Sequence, residues 1–283
     1  LRPEQIREVI PTFLAGYITD PSANNVCVET LTALTQSWKD SDIEELLRNL
    51  REVGEEQRLY LADPRARNIS RRWTQSLMQS IELIGLEHLR QATASGPTVI
   101  LCNHTSYMDS STIDMILANH GASELADMVV SVAGPKVYST LFRRFAAMCL
   151  NTLPVPQSTS LGHTARISPR ELAKQALASM KMAHQSMNDG HILLIFPEGS
   201  RTRTGQLQPF LQGVYRYLAL EGLRVVPTAL VGCGEIMDLE TEKCKPGPVS
   251  LRFGEPITIE QKADARDVLN DAYNALAQIL PKQ

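Results

Sequence analysis

Several features are scarce in this chain of 283 residues. No apolar run approaches the ~18–20 residues that a membrane-crossing helix needs, which argues against a spanning segment. No secretory signal is visible. The chain opens on Leu1 rather than Met, which leaves room for a lost N-terminal segment. The five cysteines, Cys27, Cys102, Cys149, Cys233 and Cys244, are odd in number and show no C-x-x-C spacing. Reduced thiols and a cytoplasmic location are therefore expected. An excess of one charge is missing too, because 28 Lys and Arg against 31 Asp and Glu leave a net charge of −3. Neither nucleic acid nor an anionic membrane should attract the molecule as a whole, so any phosphate must be met by local clusters of Arg and Lys. Internal repeats and low-complexity tracts are also absent.

A hydrophobic content of 43% is enough for a sizeable core. That suits one large α/β domain, or such a domain with an appendage. Residues 1–85 read as a helical N-terminal domain. Ile6, Val9, Ile10, Phe13, Leu14 and Tyr17 fall at helical spacing after Pro3, and Trp73, Leu77 and Ile81 make another stripe. Ser41-Asp-Ile-Glu44 has the form of a capping box. From residue 97 the texture changes. Candidate strands at Thr98–Cys102, Met128–Val132, Ile192–Phe196, Val225–Val231 and Val249–Phe253 alternate with helices near 109–119, 136–149, 169–188 and 208–221, and a closing helix spans 260–279. The spacing predicts an α/β fold, a mainly parallel mixed sheet flanked by helices, over residues 86–283. Leu153–Ser168, rich in Pro, Ser, Thr and Gly, is a long loop that is either functional or a surface connection.

Two stretches carry chemistry. The first is Asn103-His-Thr-Ser-Tyr-Met-Asp109, directly after the apolar run Thr98–Cys102. Strand alternation puts Ile100, Cys102 and His104 on one face, and sites in open α/β sheets form at the carboxyl ends of strands. Asp109 opens the next helical stripe. It is either a plain helix cap or a carboxylate that fixes the tautomer of His104. The second stretch, Ile195-Phe-Pro-Glu-Gly-Ser-Arg-Thr-Arg203, also follows an apolar strand. Arg201 and Arg203 leave the sheet edge on a glycine-containing turn, where their donor forks suit a phosphate or carboxylate. Glu198 beside them could hold Arg201 or accept a hydroxyl.

Taken together, the two stretches and the later Val225-Val-Pro-Thr-Ala-Leu230 resemble the glycerophospholipid acyltransferase family. That family contains the glycerol-3-phosphate and lysophosphatidic acid acyltransferases. Asn103, His104, Ser106 and Asp109 match its N-H-x-S-x-x-D block, and Phe196 to Arg201 match its F-P-E-G-[ST]-R block. The resemblance covers roughly residues 95–235. Two departures stand out. The family's second block carries an Arg where Asn151-Thr-Leu-Pro-Val-Pro-Gln157 ends on Gln157, and the usual basic residue before Gly213 is absent. Arg143 and Arg144 on one side, or Arg166 and Arg170 on the other, could supply the second phosphate contact.

The resemblance implies acyl transfer from a thioester, acyl-ACP or acyl-CoA, to an alcohol on a phosphate-bearing acceptor. His104 is then the general base and Asp109 its orienting partner, with Arg201, Arg203, Arg143 and Arg144 as phosphate ligands. Ser106, Glu198, Gly199 and Ser200 give support. Backbone amides near Gly199 or in the loop after His104 are the candidate oxyanion donors. A hydroxyl needs a base at neutral pH, and imidazole suits the task. A thioester is already activated, and no G-x-S-x-G elbow occurs. No cofactor or metal is expected, since no second histidine sits at ligand spacing. Cys102 on the His104 face is the rival, as a covalent nucleophile. The helix over 136–150, with Phe142 and Phe145 beside Lys136, Arg143 and Arg144, is either a core helix or a wall for the acyl chain and a membrane-surface contact. The helical N-terminal layout favours glycerol 3-phosphate as acceptor, with a lysophospholipid at the inner membrane face as runner-up. A non-catalytic lipid-binding module and a thioester hydrolase are the remaining alternatives.

Overall fold

Proline and aspartate set the starts of the first helices. In the computed structural model, which describes residues 2–156, 168–260 and 264–281, α1 (Pro3–Ala15), α2 (Pro21–Gln36) and α4 (Pro64–Gln75) each begin on a proline, whose missing N–H no helix would have used. The Asp20 carboxylate accepts from Ala23 N at 2.8 Å. That of Asp63 accepts from Arg65 N at 2.9 Å. Between them α3 (Asp40–Glu52) starts one residue ahead of the expected Ser41 box, and Asp42 accepts from Lys39 N at 2.8 Å. Gln157, Arg166 and most of the Leu153–Ser168 loop lie outside the described residues.

The helical reading of residues 1–85 needs one correction. Met78–Ile84 is a strand, β1, not the last turns of a helix. Ile81 and Leu83 alternate with exposed Glu82 and Ile84, a period of two. Ile81 and Leu83 stand in parallel register opposite Val249 and Leu251. A helix stripe can be drawn through Trp73, Leu77 and Ile81, but the open sheet edge wins.

After α5 (Leu86–Ser95) come β2 (Thr98–Cys102), α6 (Asp109–Asn119), α7 (Ser123–Met128), β3 (Val129–Ala133), α8 (Leu141–Met148), β4 (Asn151–Pro154), α9 (Pro169–Asn188), β5 (Ile192–Ile195), α10 (Tyr215–Leu218), β6 (Arg224–Val231), α11 (Cys233–Ile236), β7 (Gly247–Phe253), β8 (Ile257–Thr258) and α12 (Ala265–Ile279). The sheet runs in the order β1-β7-β6-β2-β5-β3-β4, with β8 also pairing β6. Its pairs are parallel except β6 with β7 and β6 with β8. The helix expected over 136–149 is broken into a 3₁₀ turn at Pro135–Tyr138 and α8. The one expected over 208–221 shrinks to a 3₁₀ turn and α10, with Gly213 inside it. Strands β4 and β8 are too short to show a period.

Strand alternation sorts the core into two layers. Ile100, Cys102, Ile192, Leu194, Val226 and Leu230 face the side covered by α1–α8. Val99, Leu101, Leu193, Ile195, Val225 and Ala229 face α9, α10 and α12. The N-terminal helices therefore share a core with the sheet. They also close an edge, because Tyr60 and Thr152 exchange N–H···O bonds of 2.9 Å along β4.

An ion cluster pins α4 to α6. Asp114 is buried on α6, and Arg71 of α4 grips it with bonds of 2.7 and 3.0 Å. Arg67 lies 3.5 Å away. Removing Arg71 takes both hydrogen bonds from a buried charge and leaves it the longer contact with Arg67 alone. Arg71→Ala should lower stability by about 3 kcal/mol, read as a lower urea midpoint at unchanged slope.

Candidate active site

The parallel neighbours β2 and β5 end side by side, with Leu101 opposite Ile195. One step on, the two motif loops meet. Asn103 comes first. Its side chain donates to Leu230 O at 2.9 Å and accepts from Leu230 N at 2.8 Å. The amide thus continues the β2–β6 pairing for one more residue and sets the direction in which the chain leaves β2.

His104 follows. Its Nδ1 lies 2.9 Å from Asp109 Oδ2. The same oxygen accepts from Thr105 N at 2.7 Å and Ser106 N at 2.9 Å, and Asp109 Oδ1 takes the Thr105 hydroxyl at 3.2 Å. Asp109 is 1% exposed, and no Arg or Lys pairs with it among the described residues. Loop amides and the N-terminus of α6 are what hold its charge. A carboxylate only accepts, so Nδ1 of His104 carries the proton and Nε2 presents a lone pair. The imidazole, about one-fifth exposed, stacks on Phe196 with ring centroids 4.3 Å apart.

Glu198 ties the second loop to the first. Its Oε1 accepts from His104 N at 2.7 Å and its Oε2 from Gln208 N at 2.8 Å. Thr202 N donates to His104 O at 2.8 Å. Burial raises the Glu198 carboxyl above its ordinary value, against the two backbone N–H groups that lower it. Among the described residues Glu198 makes no pair with Arg201, which corrects that expectation. Gly199 has φ +73°, and a Cβ there would come within 2.2 Å of Leu211 Cδ1, so the turn needs glycine.

The guanidinium of Arg201 lies over the Tyr107 ring, 3.4 Å from its centroid. Its Nη1 is buried with no partner. Arg143, from α8, lies over the same ring at 5.0 Å, with Nη2 3.4 Å from the Tyr107 hydroxyl. Tyr107 thus brings Arg143 and Arg201 to one place. Arg203 and Ser200 are exposed on the same turn, and Arg203 pairs with no acid among the described residues. Arg144 points elsewhere. It bonds Tyr138 O at 3.0 Å and Arg51 O at 3.2 Å and pairs with Glu55, so it braces α8 against α3. Arg170 is exposed in the first turn of α9.

The expected oxyanion amides are mostly committed. Gly199 N bonds Phe196 O, Thr105 N and Ser106 N bond Asp109, and Met108 N bonds the Ser106 hydroxyl. The Tyr107 N–H has no partner among the described residues. Burial, with Asp109 and Cys233 adding to it, pushes the Cys102 thiol well up. A protonated thiol is a poor nucleophile. Sequence reasoning missed Tyr107, Phe196 and the ladder role of Asn103. All three lie inside the two motifs, which was the readable signal, but nothing in the motifs shows what their side chains touch.

The family model described as Acyltransferase matches residues 80–231. The 1-acyl-sn-glycerol-3-phosphate acyltransferase BAT2, chloroplastic, of Brassica napus is 27% identical over 199 residues, 70% of this chain and 50% of that protein. The protein of the same activity name from Limnanthes douglasii is 32% identical over 124 residues, 41% of this chain and 43% of that one. The chain spans about half the length of the curated relatives it matches. Among solved structures, the 1-acyl-sn-glycerophosphate (LPA) acyltransferase PlsC from Thermotoga maritima aligns with a TM-score of 0.51 at 14% identity, covering 99% of this chain and 100% of that one.

Asn103→Ala should leave the buried N–H and C=O of Leu230 unpaired. It should cost about 2–4 kcal/mol in urea unfolding, and kcat should fall with it because His104 loses its anchor.

Proposed function

From the premise that the chain belongs to the acyltransferase family, as a glycerophospholipid acyltransferase, we propose that it transfers an acyl group from a thioester, acyl-CoA or acyl-ACP, to the free hydroxyl of a 1-acyl-glycerol 3-phosphate. The observation that carries this reading is the His104–Asp109 pair at 2.9 Å, sited where β2 and β5 end. The acceptor hydroxyl gives its proton to His104 Nε2 as its oxygen forms a bond to the thioester carbonyl carbon. Asp109 holds the Nδ1–H and stabilises the imidazolium. Collapse of the tetrahedral intermediate breaks the carbon–sulfur bond, and the imidazolium proton goes to the departing thiolate. Proton and charge balance, and no enzyme nucleophile is needed.

Two supports bear on the acceptor. Arg143 and Arg201 lie over the ring of Tyr107, three residues past His104, and exposed Arg203 follows two residues after Arg201, which suits a phosphate near the reacting hydroxyl. The relatives' names favour a lysophosphatidate over glycerol 3-phosphate. The helical layout, which had pointed to glycerol 3-phosphate, no longer discriminates, because the fold match extends over the N-terminal helices as well.

The lipid acceptor calls for contact with a bilayer. No described helix is long and apolar enough to cross a membrane. Phe13, 48% exposed, packs edge-on to Tyr17 and Phe142, and Leu141 is 68% exposed beside them in sequence. This aromatic patch on α1 and α8 suits a peripheral contact.

An acceptor panel with acyl-CoA and acyl-ACP, read by mass, tests the reading. Phosphatidate formed from lysophosphatidate supports it, esterified glycerol 3-phosphate alone shifts the acceptor, and free fatty acid alone means hydrolysis. His104→Ala should lower kcat by about 10²–10⁴-fold with acyl donor still bound. Asp109→Asn should lose a comparable factor, and Cys102→Ala should stay near wild type. Unchanged turnover in His104→Ala would overturn the base assignment, and no product from any acceptor, with acyl donor still bound, would leave the site a binding module.

A further inference from the structure

Arg143 is held loosely where other arginines are held tightly. Its Nη2 lies 3.6 Å from Glu242 Oε1, with both side chains 31% exposed. That contact is longer than a charge-assisted hydrogen bond, and a water-exposed pair of this kind holds weakly.

Glu242 is unusual in itself. It is the one non-glycine residue among those described with positive φ, +56°. An L side chain pays for that conformation, and asparagine or glycine would hold it more readily. The turn around it enforces it. Asp238 accepts from Glu240 N at 3.1 Å and from Thr241 N at 2.7 Å, and Glu242 N donates to Asp238 O at 3.0 Å. Cys244 N then donates to Tyr17 O at 2.7 Å, which fixes the exit. The turn is therefore complete without the Glu242 side chain, whose partner among the described residues is Arg143. A strained residue kept where a better one exists points to a role for its side chain.

Arg143 and Arg201 share the Tyr107 ring, which caps the separation of their guanidinium carbons at the sum of the two ring distances, 8.4 Å. Arg143 reaches the hydroxyl edge of the ring, with Nη2 3.4 Å from the Tyr107 oxygen, and a phosphate at that edge can meet both forks through N–H···O bonds of about 2.7–2.9 Å. We propose that Glu242 is a built-in competitor for Arg143: its carboxylate occupies the guanidinium in the resting protein, and the phosphate of the acyl acceptor displaces it to bridge Arg143 and Arg201. This rests on the acceptor carrying a phosphate. A phosphate monoester, with a charge of about −1.5 to −2, outbids a single carboxylate held at that distance. Glu242 is thus a specificity-determining residue that sets acceptor affinity and not the chemical step.

The test pairs kinetics with direct binding. Glu242→Gln keeps the shape and removes the charge, and Glu242→Asn also suits the backbone. Both should lower KM for lysophosphatidate by about two- to five-fold, the reach of a weak exposed pair, with kcat moving less than twofold and the KM for acyl donor unchanged. Calorimetry with inorganic phosphate should show the same gain. In the Arg143→Ala background the gain should vanish in both assays. An unchanged or raised acceptor KM in both variants, or a gain that survives Arg143→Ala, overturns the proposal. A wild-type protein that esterifies no phosphate-bearing acceptor takes down the acceptor reading and this inference together, whereas an active wild type with unresponsive Glu242 variants takes down the inference alone.

Discussion

The architecture of this site depends on one buried carboxylate that no Arg or Lys among the described residues pairs with. Asp109 sits in the first turn of α6 with 1% of its surface exposed. Burial of an unpaired charge is costly, and the loop offsets it by turning two consecutive amides, one hydroxyl and one imidazole N–H toward the two oxygens. Those donors fix the path of residues 104–106 within tight limits. The ring of His104 is consequently a part of the solvation shell of Asp109, and its tautomer follows from that membership. A lysine or arginine in the same place would satisfy the charge equally well and would leave the histidine with nothing to do.

The sheet converts this local arrangement into a bipartite site. Parallel neighbours end at the same level, so two segments far apart in sequence open into one crevice without any special folding step. Asn103 and Glu198 use this proximity in different ways. Asn103 lends its amide to β6 as an extra rung of the ladder. Glu198 accepts one backbone N–H from each of two loops, His104 and Gln208, which makes it a clasp. Its carboxyl value is raised because burial disfavours the charged form. A group whose value is raised on folding stabilises the fold most at acid pH and loses that contribution as pH rises through the shifted value. The clasp therefore costs some stability at neutral pH while it fixes the backbone of His104.

How much of this could be read from the sequence depends on which force was in charge. Periodicity decided β2, β5, β6 and α9, where long apolar stretches meet capping residues, and those elements stand within a residue or so of their expected limits. It failed at β1, because Leu77 and Ile81 satisfy a helical and an extended spacing alike and only the free edge of β7 chooses between them. The dyad was legible because His104 and Asp109 lie in one short motif. The role of Glu198 was not, because its partners are backbone amides, and amides carry no sequence signature. Arg144 failed for a related reason: composition cannot tell it from Arg143, and the two adjacent side chains on α8 face different neighbours, Glu55 in one case and Tyr107 in the other.

That contrast among arginines separates scaffold from site. Arg65, Arg71 and Arg144 are each tied to carboxylates by at least one contact of 3.0 Å or less. They join helices, and their charge is spent within the fold. Arg143 and Arg201 lie instead on an aromatic face, a partner that attracts a guanidinium without neutralising it. Tyr107 itself is 46% exposed, so the pair stays within reach of solvent. Stacking positions Arg201 while leaving its buried Nη1 without a partner, and the carboxylate that faces Arg143, that of Glu242, stands off at 3.6 Å. A tight ion pair would give the same rigidity but would cost far more to break than the 3.6 Å contact of Arg143 with Glu242. A ring keeps the positive charge both ordered and available, three residues along the chain from His104.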